Sequence, residues 1–507
     1  MKGDPMDTTS LWKGTAAKTA CLPTLQADLK VDVAIVGAGI TGLTAAMLLV
    51  QAGKRVAVLD AHKVGDASTG NSTGNLYATL DVGLHAIEEQ HGLEAMRRVV
   101  ESRAAAIDLI EATVDSLNLA CGFQRVPWHL IALDAAHVPD IEKEALAAMR
   151  ARLRADLRDD APIPIDAAKI LRVEDQAQFQ PLAYVRQLAQ RIGSEDCLIF
   201  ENTRVTAVDD NPAVVHTTHG KVYCEHVVIA THTPIGIHLV QSQLDVVREY
   251  GIAAPLHDSM PEPGVYWCIG QERHSVRTYT ENDRTYLVVV GSAHPLGKQE
   301  VGDERFQKLE LFARDHWPIG PVEYRWSAQR YRAKDKLPTI GRNVDAANTY
   351  IATGFSGDGL TYGTLAGMML ADEILGRGTP WRDLYAVDRL AQGKRPDGFA
   401  KESTGPAKAA GAVALDAAAL KGLDDLPPCQ SRKIEVAGQP VAVFRAQDGR
   451  LQAVAGKCSH MGCEIKWNAA ETSWDCDCHG SRFAPDGRVL EGPALAPLQA
   501  ASLDAGD

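Results

Sequence analysis

No stretch of this 507-residue chain approaches the roughly 18 consecutive apolar residues that cross a bilayer. The first residues, MKGDPMDTTSLWKGTAAKTACLPTL, also lack the apolar segment of a secretion signal. Positive charge is in deficit: 52 Lys and Arg stand against 65 Asp and Glu, a net −13. That balance argues against a nucleic-acid surface and supplies no polybasic membrane anchor, while leaving a basic protein partner open. Cysteine is sparse and mostly scattered. Cys21, Cys121, Cys197, Cys224, Cys268 and Cys429 stand singly, which suits buried thiols in a reducing compartment better than a disulfide framework. These absences together predict a soluble, cytoplasmic protein. Apolar residues at 45% and charged residues at 23% are ordinary for a folded chain, and the length predicts two or three domains.

Chemistry enters first at residues 31–60. VDVAIV is a β-branched run of the kind that forms a strand buried on both faces, and GAGITG with LTAAMLLVQAG follows it as a turn and a helix. Gly37 allows the tight turn, Gly39 lets backbone approach a pyrophosphate, and Gly42 permits close packing of helix on strand. A second strand, RVAVLD, ends at Asp60, where a carboxylate can accept from ribose hydroxyls. The strand–turn–helix–strand–acid order predicts a dinucleotide site without distinguishing FAD from NAD. The stretch GDASTGNSTGNLYATL (65–80), with Thr69, Ser72 and Thr73, offers donors for the middle of a long cofactor. Far downstream, YIATGFSGDGLTYG predicts a strand, a glycine-rich turn and a second helix N-terminus aimed at the ligand.

With DVAIVGAGITGLTAAMLL, IFENTRVTAV, VVIATHTPI, LPTIGR and YIATGFSGDGLTYG on the page, the chain resembles the FAD-dependent amine and amino-acid oxidoreductases of the D-amino-acid oxidase superfamily. The resemblance spans residues 28–378. It implies an α/β Rossmann-like FAD-binding domain (about 28–85, 194–245 and 325–378) with an inserted α+β substrate domain (about 86–193 and 246–324), and hydride transfer from carbon to flavin N5. It adds Val205, Gly341, Gly354, Gly357, Gly359 and Thr361 to the cofactor contacts. Some relatives tether the flavin through His or Cys. Neither occurs between Gly65 and Leu80, so noncovalent FAD is expected, with His62 and His85 as flanking side chains. Asp358 and Tyr362 depart from the apolar and amide residues of the nearest relatives, so the substrate is not carried over.

Residues 86–193 have helical composition, and HSVRTYTENDRTYLVVVG alternates about a turn at Asn282-Asp283, a hairpin signature. In the resembled superfamily such a sheet covers the flavin. Arg277, Tyr279, Gln329 and Tyr331 are therefore the catalytic candidates, weighed against a role as ordinary solvated strand residues.

Composition shifts again beyond the flavin-like region. Residues 379–414 predict a linker, and short alternating segments separated by turns at Gly438 and Asp448-Gly449 predict a small all-β domain over 415–507. Into it fall CSHMGC (458–463) and CDCHGS (476–481), which hold the remaining four cysteines. Cys458-x-His460 and Cys476-x-x-His479 give each loop one thiolate and one imidazole. A zinc finger usually pairs its cysteines on one limb and its histidines on the other. A Rieske [2Fe–2S] centre needs two Cys on one iron and two His on the other, which this distribution supplies; zinc is the alternative. The fuller pattern CSHMGC…WDCDCHGSRF…DGRVLEGPA resembles the high-potential Rieske proteins. That resemblance implies a disulfide between Cys463 and Cys478 clamping the loops, and a Ser481 hydroxyl donating to a cluster sulfur. Phe483 replaces a tyrosine common in respiratory members, which implies a lower potential.

A two-electron acceptor beside a one-electron carrier predicts a dehydrogenase. A small amine, amino acid or similar C–H donor reduces FAD, and electrons leave through the cluster to an external carrier protein or quinone, with His460 and His479 as the exposed exit. A reductase with electrons entering at the cluster and a redox sensor are the alternatives. A ring-hydroxylating oxygenase is disfavoured, because no helix presents two histidines and a carboxylate for a mononuclear iron.

Overall fold

The computed structural model describes residues 8–17, 19–257, 262–391, 414–415 and 417–502. Strand Val33–Val36 is buried along its whole length, and its side chains feed two different cores. Val33 and Ile35 point to one, Ala34 and Val36 to the other, as expected for a strand covered on both faces. It lies inside a six-stranded sheet, paired in parallel with His226–Ile229 on one side and Val56–Leu59 on the other. Cys197–Phe200 extends the sheet beyond Val56–Leu59, and Thr349–Thr353 joins beyond His226–Ile229, both parallel. Three widely separated parts of the chain thus return to one sheet.

Helix Ile40–Gln51 leaves the first strand and packs against helix Gly359–Ile374. A Cβ on Gly367 would lie 2.6 Å from the Thr44 side chain, and one on Gly363 would lie 2.8 Å from Thr41 Oγ1. Small residues in the second helix are what let the two helix N-termini converge.

A nine-stranded sheet forms the second layer. Its centre is the predicted hairpin, His274–Glu281 and Arg284–Pro295, turning at Asn282 and Asp283 with φ of 49° and 61°. One face, with Ala253, Val288, Val290 and Trp326, joins the dinucleotide-domain core. The other, with Tyr250, Ile252, Leu287 and Val289, is covered by helix Glu304–His316. The helical reading of 86–193 holds for Leu93–Leu117 but misses Gln124–Ala132, Ala155–Arg158 and Lys169–Gln178, which are strands of this sheet. Gln124–Ala132 and Lys169–Gln178 have partners far along the chain, as in the parallel pairing of Trp128 with Val265 and the pairing of Asn75 with Gln178. Local composition does not carry that information.

Residues 379–391 fall inside the expected linker yet pack on the first domain. Tyr385 is fully buried with its hydroxyl 2.8 Å from Ser102 Oγ, and Arg389 pairs with Asp335 at 2.8 Å. Residues 392–413 of that linker lie outside the described residues. Among the described residues the C-terminal unit is all β apart from a short helix at Ala417–Lys421. It contains a three-stranded sheet (Ser431–Val436, Gln439–Arg445, Leu451–Ala455) and a four-stranded one (Ile465–Asn468, Ser473–Cys476, Arg482–Phe483, Val489–Glu491).

The two units are joined through buried charge. The Arg248 guanidinium donates to both Glu471 carboxylate oxygens at 2.8 Å and to Glu491 at 2.8 Å. Arg482 reaches Asp475, Glu491 and Glu471 at 3.0, 2.9 and 3.0 Å. Arg248 is 2% exposed, so its charge is satisfied by these carboxylates rather than by water.

Candidate functional site

One cavity runs along the edge of the parallel sheet, and its lining begins with the glycine turn. Gly37 has φ +107°, and a Cβ there would lie 2.6 Å from the Ala230 carbonyl oxygen. A Cβ on Gly42 would lie 2.0 Å from the Gly37 carbonyl oxygen, so the helix sits against the turn with no room for a side chain. At the helix N-terminus the Ile40 N–H donates to Thr69 Oγ1 at 3.2 Å. The Asp60 carboxylate accepts from the N–H groups of Ala38 and His62, both at 2.8 Å, and keeps lone pairs for further donors. Burial raises its pKa to about 6, against the lowering effect of those two backbone donors.

Of the residues proposed from sequence as cofactor contacts, Gly37, Gly39, Asp60, Thr69, Ser72, Val205 and Gly359 line this cavity. Gly42 lies beneath the turn. Others are elsewhere, and the reasons are local. The Thr73 carbonyl is taken by Arg277, and Thr361 is buried inside its helix. Gly354 faces Ala333, Gly357 faces Arg330 and Asp81, and Gly341 opens on Glu373 in a separate depression. The cavity also has walls that sequence reasoning missed. His62, Thr203, Arg204 and His232 contribute, as do Leu490, Glu491, Gly492, Ala494 and Leu495 of the C-terminal unit. His232 has φ +69°, with Nδ1 2.9 Å from Ser68 Oγ and its ring edge-on to Tyr331 at 4.8 Å. It lies three residues beyond the end of strand His226–Ile229, and a strand-end loop of this kind was the one available signal.

The four catalytic candidates separate. The Arg277 guanidinium is buried, and its Nη1 lies within donating distance of the carbonyls of Thr73, Gly74 and Phe179, which ties a loop to the hairpin. Tyr279 donates to Glu281 and packs edge-on against Trp12. Neither lines the cavity. Gln329 points into the C-terminal unit, donating to the Gly480 carbonyl at 2.8 Å and to Tyr331 Oη at 2.6 Å. Tyr331 does line the cavity, and its hydroxyl reaches the Gly492 carbonyl at 3.4 Å.

Beside the Gly359–Leu360 end of the cavity lies a set of buried charges. Arg330 contacts Asp81 and Glu249, each at 3.2 Å, Arg273 contacts Asp81 at 3.1 Å, and Arg103 contacts Asp358 at 3.4 Å. Burial alone would raise the Asp81 carboxyl, and Arg330, Arg273 and Arg332 hold it below its ordinary value. Burial raises Asp358 and Glu249 despite their arginines. Tyr362 lies under the Arg103 guanidinium, 4.3 Å from ring centroid to carbon. The two departures noted in sequence, Asp358 and Tyr362, therefore share one arginine.

At the tip of the C-terminal unit the two loops meet. Cys463 and Cys478 are joined in a disulfide. The sulfurs of Cys463, Cys476 and Cys478 lie within 4.8 Å of one another, but the disulfide removes two of them as thiolates. The free thiols are Cys458 and Cys476, both buried and sharing a hydrogen bond. Cys476 donating to Cys458 pulls the Cys458 thiol down to about 7, while Cys476 is pushed up. Two buried thiols brought together from separate loops are a donor pair that a metal binds in the deprotonated form. The His460 and His479 rings stand 5.0 Å apart at 81°. Burial lowers both, His460 to about 4, which favours the neutral form that an imidazole needs to ligate a metal. His479 Nδ1 is buried without a partner. Ser481 Oγ accepts from the Ala494 N–H at 3.1 Å and bonds Cys458. The donor set, two thiols and two imidazoles on opposed loops, fits a [2Fe–2S] centre.

His460 is not at the surface. It is 4% exposed, and its Nε2 lies 2.9 Å from the carbonyl oxygen of Gly236 in the first domain. The expected exposed exit therefore applies to half-buried His479 alone.

Comparison with known proteins agrees with this division. The family model for FAD dependent oxidoreductases matches residues 32–373, and that for the Rieske [2Fe-2S] domain matches 418–502. YhfW of Bacillus subtilis, named for a Rieske 2Fe-2S iron-sulfur protein, is 29% identical over 97% of both chains. Gamma-glutamylputrescine oxidoreductase of Escherichia coli is 24% identical over 73% of this chain and 89% of its own. The glycine oxidase structure from Geobacillus kaustophilus superposes with a TM-score of 0.60 at 18% identity, covering 71% of this chain and 99% of that one. Among the described residues no helix is long and apolar enough to cross a membrane. The chain belongs to the FAD dependent oxidoreductase family and carries a C-terminal Rieske domain, so its two cofactors are FAD and a [2Fe–2S] cluster.

Proposed function

We propose that the protein is a dehydrogenase for a small amine or amino acid that delivers its electrons through the Rieske domain to an external one-electron carrier. The observation that carries this reading is the cavity, whose walls come from the glycine turn at one side and from Leu490–Leu495 at the other. FAD bound there accepts a hydride equivalent, and the cluster takes electrons singly.

The residues divide the work. The helix N-terminus after Gly39 faces the diphosphate, and Asp60 accepts from ribose hydroxyls. Cys458, His460, Cys476 and His479 hold the cluster, and the Cys463–Cys478 disulfide keeps their loops together. The charges around Arg330, Glu249 and Asp81 supply polar ground for orienting a substrate that bears an amine and a carboxylate. The glycine oxidase likeness and the gamma-glutamylputrescine oxidoreductase relative support that substrate class.

The test is anaerobic mixing of holoprotein with a panel of amino acids and polyamine derivatives, following flavin absorbance and the low-temperature EPR signal of the cluster. Flavin bleaching followed by the cluster signal is expected. Bleaching by nicotinamides or reduced carriers, with no response to any amine, would overturn it in favour of a reductase.

A further inference from the structure

The first domain meets both cluster loops, and one short loop of it reaches a cluster histidine directly. Strand His226–Ile229 ends and the chain runs through His232 and Ile235, both lining the cofactor cavity, to Gly236. Gly236 is hydrogen-bonded to the C-terminal domain on both sides of its peptide. Its N–H donates to the Pro493 carbonyl at 3.0 Å, and its carbonyl accepts from His460 Nε2 at 2.9 Å. The second loop is held too, since Gln329 donates to the Gly480 carbonyl at 2.8 Å, and a Cβ on Gly480 would lie 2.5 Å from Gln329 Nε2. Some distance from the tip, Arg248 with Glu471 and Glu491 closes the same interface with buried charge. The other histidine differs. Among its ring atoms Nδ1 is buried and without a partner, while the residue as a whole is half-buried.

From this asymmetry we infer that the Rieske domain is fixed in one dock, in which His460 is the electron entrance from the flavin side and His479 is the sole ligand offered to an external acceptor. The inference rests on the proposed direction of electron flow. For each C–H donor oxidised, two electrons and two protons leave the substrate. The electrons cross the Gly236–His460 contact one at a time, and at His479 they reduce two molecules of a one-electron acceptor; the protons pass to solvent. Arg248 acts as a positioning residue: it touches neither cofactor and holds the dock.

Diethyl pyrocarbonate footprinting of the oxidised holoprotein, read by peptide mass spectrometry, tests the dock without turnover. His479 is expected to be labelled at least about tenfold faster than His460, the ratio set by burial of one ring edge against the first domain. In Arg248→Met and in Gln329→Leu, His460 labelling should rise toward the His479 rate with the cluster EPR signal retained. Equal labelling of the two histidines in wild type overturns the fixed dock, whatever the variants do. The functional arm uses dithionite-reduced protein and ferricyanide. Labelling at His479 should slow cluster reoxidation several-fold while leaving the flavin-to-cluster step unchanged. Selective His479 labelling with no slowing of reoxidation overturns the exit assignment. Selective labelling in a protein whose flavin never equilibrates with its cluster leaves the dock standing and sinks the proposed flow, so the two failures are distinguishable.

Discussion

Replacing Ser481 by Ala should lower the midpoint potential of the cluster by about 40 mV. The Ala494 N–H donates to Ser481 Oγ at 3.1 Å, which leaves the hydroxyl proton free for a cluster sulfur, and Ser481 is among the groups that lower the Cys458 thiol. Ser481 is 1% exposed, so water does not replace the lost donor. A donor to a cluster sulfur stabilises the reduced form more, because reduction adds one negative charge to the acceptor. If the bond gains about 1 kcal/mol on reduction, the middle of the range for a net hydrogen bond, a one-electron couple moves by about 40 mV. The assay is a potentiometric titration followed by EPR, with an unchanged rhombic signal as the check that the cluster has assembled. Ser481→Thr keeps the hydroxyl and should restore most of the potential. A Ser481→Ala midpoint equal to wild type, or above it, would refute the argument that this hydroxyl donates to the cluster.

The remaining expectations concern the first domain. Gly42→Ala places a Cβ 2.0 Å from a backbone oxygen, so the helix must move off the turn; purified protein should be largely free of FAD by absorbance, and a bound FAD content equal to wild type would contradict the packing. Burial holds the Asp60 carboxyl at about 6, and ribose hydroxyls donate more strongly to its ionised form than to the neutral acid, so FAD should bind more tightly above that pH and weaken below it, by at most about tenfold per unit. A fluorescence titration across this range should show the slope in wild type and lose it in Asp60→Asn. The same raised value has the opposite sign for the apoprotein: its contribution to stability is full below the unfolded carboxylate pKa and lost as pH rises through about 6. Arg330→Met leaves Asp81 and Glu249 buried beside each other with one cation fewer, and denaturant unfolding should report a loss of about 3–5 kcal/mol.

Both cofactors were legible because their motifs are local. GAGITG sits between two strands that are adjacent in sequence and in the sheet, and each cluster loop carries its ligands within four residues. The hairpin at Asn282-Asp283 was legible for the same reason. What failed depends on distance along the chain. Gln124–Ala132 and Lys169–Gln178 sit in a helix-rich stretch and become strands because they pair with each other and with Val265–Ile269. The linker expected from residue 379, set by where the flavin-like region ends, does not record that Tyr385 finds Ser102.

The strand Tyr324–Ala333 shows most clearly where sequence reasoning ends. Alternation places Gln329 and Tyr331 on one face and Arg330 on the other, and the register confirms it, with Gln329 opposite Arg248 and Arg330 opposite Val247. The sequence therefore groups Gln329 with Tyr331 correctly. It does not say which face meets the flavin domain, because that choice is made by a unit more than a hundred residues away. Gly480, which would collide with Gln329 if it carried a Cβ, lies against the Gln329 face, so two residues chosen as substrate contacts serve the contact between domains. The unchosen Arg330 takes the buried position beside Asp81 and Glu249. The C-terminal unit thus takes one face of this strand while the strand keeps its alternation. The consequence is that catalytic residues in such fusions are found by asking which face the second domain leaves free.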